Sequence, residues 1–140
     1  MPEPILEIKN LSIEYPIYIG TVRAGENINL ALHKGEVMGL VGESGSGKST
    51  LGFSILRMLK PPGRVSQGQI LYHGRDIVTM PEAEILALRG NNISMIFQDP
   101  LTSLNPLFRI DKQFIETLQT HDRTIRKKAA LERSAAILKR

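Results

Sequence analysis

The chain has 140 residues, of which 41% are hydrophobic and 23% are charged, and this composition excludes a disordered or fibrous protein. No uncharged apolar run approaches the roughly 18 residues that a membrane-spanning helix needs, and the charged N-terminus does not resemble a secretory signal, so neither a transmembrane helix nor secretion is expected. The absence of cysteine excludes disulfides and thiolate metal sites, and it fits a reducing compartment.

The net charge of +4 is concentrated near the end of the chain. Residues 121–140 carry seven basic and two acidic groups, whereas the first 120 residues carry 11 basic and 12 acidic groups. A basic stretch can bind nucleic acid or a membrane surface. No aromatic residue lies between these charges for base stacking, so we favour a solvated helix face and predict no nucleic-acid partner.

The first forty residues favour β-structure. Residues 6–15 come close to alternating between apolar and polar side chains, with a slip near Asn10, and this pattern predicts a strand. A loop is predicted over 16–25, and a second strand over 28–32. Residues 37–41 are apolar without alternation, which is typical of a strand that is covered on both faces in a parallel sheet.

The rest of the chain combines helices with short strands. Helices are predicted over 48–59, from Thr79-Met80-Pro81-Glu82 through Leu88, and over 110–119 and 124–139. Strands are predicted over 69–72 and 93–97. Thr79 and Glu82 have the spacing of a capping box for the second helix. The sequence therefore predicts an α/β fold.

A glycine-rich motif is the strongest signal in the sequence. It reads Gly42-Glu43-Ser44-Gly45-Ser46-Gly47-Lys48-Ser49-Thr50, after an apolar segment and before a helix, and it matches the P-loop pattern G-x-x-x-x-G-K-[ST]. Its glycines let backbone N–H groups wrap a phosphate, and the helix N-terminus adds a positive dipole end. We predict that Lys48 reaches the β- and γ-phosphates, that Ser49 ligates Mg²⁺ and that Thr50 lies near the α-phosphate.

A P-loop occurs in many protein families, so it does not by itself identify the class of protein. The sequence has no N-K-x-D motif to recognise guanine, which weighs against a GTPase. A second motif identifies the class more closely. It reads Ile96-Phe97-Gln98-Asp99-Pro100-Leu101-Thr102-Ser103-Leu104-Asn105-Pro106 and begins after a predicted strand. With both motifs, the sequence resembles the ATP-binding subunit of ABC transporters, in the importer branch for dipeptides, oligopeptides and nickel. Glu43 and the segments 20–24 and 68–76 also resemble that branch, so the resemblance covers essentially the whole chain.

The resemblance implies a P-loop NTPase fold of the ABC type, with an antiparallel β subdomain and the start of a helical subdomain. Residues 1–105 would form the N-terminal part of the nucleotide-binding core, and residues 106–140 the beginning of the helical subdomain. The implied ligands are ATP and Mg²⁺.

The resemblance also implies individual roles. Gln98 would help to hold Mg²⁺, together with Ser49, and would orient the attacking water, so Gln98 and Lys48 are the predicted catalytic residues. In this family an aromatic residue near the end of the first strand stacks on adenine. That position favours Tyr15, with Tyr18 as the rival.

The implied function is that of the ATP-binding component of a peptide or nickel importer, which couples MgATP binding and hydrolysis to solute uptake. The implied partners are transmembrane permease subunits and a second ATP-binding subunit. The implied location is cytoplasmic, at the inner face of the cell membrane.

Several elements of the family mechanism do not occur after Gln98. The sequence has no apolar run that ends in Asp-Glu, no L-S-G-G-Q-type signature and no downstream switch histidine. We therefore expect a truncated form of the fold that does not hydrolyse ATP by itself. The alternative function is a non-hydrolysing nucleotide-binding fragment or a regulatory remnant. A soluble P-loop kinase is a third possibility, but no acceptor site or lid arginines can be placed.

Overall fold

The computed structural model describes residues 3–99 and 103–139, which fall into two compact units that divide between Arg89 and Gly90. The first unit contains β1 (Leu6–Ile17), β2 (Gly20–Leu32), α1 (Lys48–Ile55), β3 (Arg64–Tyr72), β4 (Arg75–Asp76) and α2 (Glu82–Leu88). The second unit contains α3 (Ile110–His121) and α4 (Lys127–Leu138). In the part of the chain described, no helix has the length and apolar character needed to cross a bilayer. The functional division at residue 105 stays a prediction.

The four strands form one antiparallel sheet in the order β2-β1-β3-β4. β1 pairs with β2 along its whole length, up to Ile17 opposite Gly20, so the predicted loop over 16–25 is wrong. This stretch is a long hairpin, which turns at residues 18–19. The ladder between β1 and β3 reaches only to Glu14, and Pro16 therefore lies where β1 has a single neighbour, a position at which a missing N–H is tolerated.

The predicted slip in the first strand is confirmed at Asn10. Asn10 has a φ of 49°. The register of β1 shifts around this residue in both of its ladders, between Ile8 and Leu11 in the ladder with β2 and between Lys9 and Ser12 in the ladder with β3. The shift allows Ile8, Leu11 and Ile13 all to be buried, although they do not follow strict alternation. The bulge is therefore what keeps one face of β1 in the core.

The core of the first unit combines side chains from the sheet, from α1 and α2, and from the segments that follow α1 and β4. Its buried apolar side chains are Ile8, Leu11, Ile13, Leu51, Leu56, Ile70, Ile77, Met80 and Ile85. α1 contacts β1 and β3, and α2 contributes Ile85. The predicted capping box of α2 is wrong, because the N-cap residue is Pro81 and no side chain caps the helix.

Helix α1 ends at Ile55, four residues before the predicted end. The N–H of Arg57 donates to the Ser54 carbonyl at 3.0 Å, and the N–H of Met58 donates to the Phe53 carbonyl at 2.8 Å. Together with the φ of 50° at Arg57, these bonds form a Schellman motif. Glycine is the usual residue at the left-handed position of this motif, which is Arg57 here. Without a glycine, the sequence does not indicate that the helix ends at Ile55.

Two arginines stabilise this helix end. Arg89 donates from Nε to the Leu56 carbonyl at 2.8 Å and from Nη2 to the Arg57 carbonyl at 3.0 Å. Arg57 donates to the Met80 carbonyl and forms an ion pair with Glu82 at 3.2 Å. Hydrogen bonds and an ion pair thus join the C-terminus of α1 to residues 80–89, which include α2.

The predicted strands over 37–41 and 93–97 are not formed. Within the described ranges neither segment pairs along a sheet, apart from an isolated bridge at Ile93. Val37, Val41 and Ile96 are each at least 95% exposed, whereas burial on both faces had been predicted for the first segment. An apolar run forms a strand only where neighbouring strands accept its hydrogen bonds, and the described residues supply no such ladder.

The second unit consists mainly of α3 and α4, which pack on each other through Ile115 and Ala130. α3 begins at residue 110, as predicted. α4 begins three residues later than predicted, because Asp122 first forms a turn in which it accepts bonds from Thr124 N at 2.9 Å and Thr124 Oγ1 at 2.6 Å. These bonds lower the pKa of Asp122, the side-chain bond contributing most.

The bulge in β1 leads to a prediction about Gly68. This residue has a φ of 88°, and a Cβ placed on it would lie 2.3 Å from the Asn10 carbonyl oxygen. We expect Gly68→Ala to lower the free energy of unfolding by about 2 kcal/mol or more, measured by urea denaturation, because it combines strain with a backbone clash. Gly74→Ala is the control: its φ is 75° but nothing lies within 4 Å. It should lose only about 1 kcal/mol, and equal losses would contradict the role of the clash.

Candidate functional site

The glycine-rich loop leads directly into α1, whose first residue is Lys48. Gly45 and Gly47 have φ values of 82° and 88°, which residues with side chains rarely adopt. Gly47 is the N-cap, no side chain caps the helix, and no acidic residue lies in its first turn. Since the first N–H groups of a helix have no acceptor within it, this end is suited to bind an anion.

The ammonium group of Lys48 lies within the curve of the loop. Its Nζ donates to the carbonyl oxygens of Gly42 at 2.8 Å and Glu43 at 2.5 Å, and to Ser46 Oγ at 3.1 Å. The N–H of Ser46 donates to the Glu43 carbonyl at 3.2 Å. The loop therefore holds the positive charge of Lys48 with two carbonyl oxygens and a hydroxyl. The groups that suit a phosphate are the cation itself and the backbone N–H groups of the loop, not these acceptors.

Strand β2 approaches the loop closely at one point. A Cβ on Gly47 would lie 2.1 Å from the carbonyl oxygen of Ala24, so only glycine allows this contact. The contact brings the end of the hairpin beside the loop and forms a cavity of about 410 Å³. Its lining residues are Tyr15, Val22, Arg23, Ala24, Gly45, Ser46, Gly47, Lys48, Ser49 and Thr50.

Tyr15 is the aromatic residue of this cavity. It lies opposite Val22 in the hairpin and is half-buried. Tyr18 lies in the hairpin turn and is fully exposed, at 105%, and it does not line the cavity. The structure thus brings Tyr15, and not Tyr18, together with the glycine-rich loop.

Sequence analysis missed three residues of the cavity lining. Val22, Arg23 and Ala24 belong to β2, but they fell in the segment that was predicted to be a loop. These residues are placed by pairing between β1 and β2, which local sequence does not specify. Pro16 favours a loop in sequence analysis because proline is typical of loops. Arg23 forms an ion pair with Glu26, between Nη1 and Oε1 at 2.5 Å.

Four of the predicted site residues lie outside the cavity lining. Gly42 and Glu43 contribute carbonyl oxygens to Lys48, and Ser44 is exposed in the loop. Gln98 belongs to the second unit, where it is exposed. Residues 100–102 of the second motif lie outside the described residues. The role of Gln98 stays a prediction.

Comparison with known families identifies the chain. Residues 25–139 match the family model described as "ABC transporter". The chain belongs to the ABC transporter family. The resemblance expected from the two motifs is thereby confirmed.

Among curated proteins of this family, the chain is similar to ATP-binding proteins of peptide transport. The chain is 44% identical over 135 residues to the oligopeptide transport ATP-binding protein OppD of Bacillus subtilis, covering 96% of this chain and 37% of the relative. It is 40% identical over 136 residues to the dipeptide transport ATP-binding protein DppD of Lactococcus lactis, covering 97% of this chain and 39% of the relative. The chain therefore spans about two-fifths of the length of these relatives.

Solved ABC structures support the fold class. The dimeric structure of a bacterial ABC transporter cassette superimposes with a TM-score of 0.80 at 24% identity, covering 96% of this chain and 56% of that chain. The predicted fold class, an ABC-type α/β fold with an antiparallel sheet, is thus confirmed.

Proposed function

We propose that the chain is the nucleotide-binding part of the ATP-binding subunit of a peptide importer. The observation that carries this proposal is the single cavity that joins the glycine-rich loop and Lys48 to the ring of Tyr15. A cavity with a cation and helix amides on one side and an aromatic residue on another fits a nucleoside triphosphate. The names of the relatives favour peptides as the transported solute; nickel remains the alternative solute from sequence.

We propose roles for several groups that line the cavity. Lys48 would neutralise the β- and γ-phosphates, and Thr50 would lie near the α-phosphate. The amides of residues 45–50 would surround the β-phosphate and stabilise charge during phosphoryl transfer. Adenine would stack on Tyr15 at the hairpin end.

Ser49 is the residue that fits a Mg²⁺ ion. It is exposed in the first turn of α1 and lines the same cavity as Lys48. Among the described residues, no group of three His, Asp, Glu or Cys side chains is arranged to hold a metal. Mg²⁺ commonly binds through one or two protein ligands together with phosphates and waters, so a hydroxyl beside a phosphate cradle suits it. Gln98 would be the second protein ligand and would orient the attacking water.

The remaining proposals concern the whole transporter subunit. We propose that it pairs with a second ATP-binding subunit, contacts transmembrane permease subunits and acts at the cytoplasmic face of the membrane. MgATP binding and hydrolysis would then be coupled to solute uptake. The relatives are named as transport ATP-binding proteins, which supports this proposal.

A polypeptide limited to these 140 residues would bind nucleotide without hydrolysing it, because no apolar run ending in Asp-Glu follows Gln98 within them. Such a fragment would bind MgATP and would act, if at all, by pairing with an intact subunit.

The first prediction concerns phosphate binding. We expect Lys48→Ala to weaken MgATP binding at least about tenfold by calorimetry, because it removes a charge-assisted partner of the phosphates. Ser49→Ala should weaken binding mainly when Mg²⁺ is present. Lys34→Ala, an exposed lysine outside the cavity, is the matched control and should bind normally. Equal affinity in the native chain and Lys48→Ala would contradict the site.

The second prediction concerns adenine. Tyr15→Ala should cost about 1–3 kcal/mol of ATP affinity, since it removes a stacking surface. Tyr15→Phe should cost little, because the ring is retained. Tyr18→Ala is the matched control at the hairpin tip and should have no effect. A large loss in Tyr18→Ala instead would show that the wrong aromatic residue has been assigned.

The third prediction concerns turnover. A polypeptide of these 140 residues is expected to release no phosphate above the background of Lys48→Ala, because an amide such as Gln98 cannot take a proton from water near pH 7. Gln98→Ala should therefore change nothing in this polypeptide. Steady multiple-turnover release would reveal an unrecognised base and would argue against the non-hydrolysing candidate.

A further inference from the structure

Gly63 lies directly against the ring of Tyr15. The ladder between β1 and β3 pairs Glu14 with Arg64, which places Gly63 opposite Tyr15 at the end of the ladder. A Cβ on Gly63 would lie 2.4 Å from Cε1 and 2.7 Å from Cζ of the tyrosine. The ring thus occupies the volume that any side chain at residue 63 would need.

Backbone conformation does not explain the glycine. Seven other glycines of the described chain have positive φ values, but Gly63 does not. The sign of φ therefore does not require a glycine at this position. The close contacts that remain are with the Tyr15 ring and with the Lys60 carbonyl oxygen, which a Cβ would approach to 2.9 Å.

Gly63 is also held in place on both sides. Its N–H donates to the Lys60 carbonyl at 2.9 Å, which closes the turn over residues 60–63. The next residue, Arg64, donates from Nε and Nη2 to Glu14 Oε1 at 2.9 Å and 2.7 Å. Glu14 precedes Tyr15 in β1, so the two backbones are joined next to the ring. The glycine cannot retreat from the tyrosine without disturbing the turn or this ion pair.

We propose that Gly63 is a positioning residue for nucleotide binding, which holds the Tyr15 ring at the cavity by leaving room for it. The inference rests on the proposed nucleotide function of that cavity. A side chain at residue 63 displaces the ring from the orientation in which it lines the cavity, whereas the phosphate end, around Lys48, is unaffected. The class of ligand that depends on Gly63 is therefore a nucleotide with its base, not a polyphosphate alone.

The experiment compares two ligands, MgATP and magnesium tripolyphosphate, by calorimetry on the full chain. We expect Gly63→Ala to weaken MgATP binding about fivefold or more, within the range of a lost stacking contact, and to change tripolyphosphate binding less than about twofold. Gly39→Ala is the matched control, because its Cβ meets nothing within 4 Å and its φ is not positive. It should change neither affinity. No loss in Gly63→Ala, or equal losses for both ligands, overturns the proposal.

A double-mutant cycle with Tyr15 separates this inference from the proposed function. If Gly63 acts through the ring, Gly63→Ala has no further effect on MgATP binding in a Tyr15→Ala background. An undiminished effect in that background overturns the inference alone. If Tyr15→Ala leaves MgATP binding intact, the adenine contact fails and the inference falls with it. Loss of both ligands in Lys48→Ala tests the phosphate site independently.

Thermal unfolding keeps the proposal testable if Gly63→Ala does not fold. The two closest contacts of the added methyl group are with the ring, and only the 2.9 Å contact with the Lys60 carbonyl oxygen remains without it, so the double variant should recover most of the melting temperature of Tyr15→Ala. Recovery supports the contact between Gly63 and the ring. A double variant that remains unfolded shows that the methyl group acts elsewhere in the turn and overturns the proposal.

Discussion

The close approach of β2 to the glycine-rich loop is the constraint on which the candidate site depends. The Ala24 carbonyl oxygen lies so near Gly47 that any side chain there would collide with it. Without this contact, the loop would be a local turn before a helix and the hairpin a separate sheet. With it, a backbone that favours anions and a strand end that carries an aromatic ring line the same cavity. The glycine at the N-cap thus serves two purposes, the conformation of the loop and the closure of the site.

The phosphate end of this site was predictable because it is local. Nine consecutive residues specify the loop, the helix start and the cation, and the left-handed glycines at 45 and 47 lie where the motif requires them. The slip at Asn10 was equally visible, because a bulge interrupts alternation in the sequence itself. The position of Tyr15 was inferred from family resemblance, and the structure places that residue, rather than Tyr18, at the cavity.

Features that depend on distant partners were not predictable. The hairpin over 16–25 forms through pairing between β1 and β2. Pro16 is typical of a loop, and it is compatible with a strand here only because β1 pairs with one neighbour, β2, at that residue. Residues 37–41 carry the apolar pattern of a covered strand, but pattern alone does not provide the neighbouring strands that hydrogen bonding requires. The sequence around Gly63 indicated a helix stop but not its contact with Tyr15, because that ring comes from a strand 48 positions earlier.

The attachment of α1 to the segment before and within α2 has a consequence for the order of folding. At eight residues, α1 is too short to be stable alone, since isolated helices shorter than about 12–15 residues are marginal in water. The carbonyls of Leu56 and Arg57, which directly follow the helix, accept hydrogen bonds from Arg89, more than thirty positions further along the chain. A growing or refolding chain therefore gains these two bonds only once the segment up to Arg89 is in place. The glycine-rich loop is contiguous in sequence, but the short helix that lends it a dipole depends on tertiary contacts for its stability.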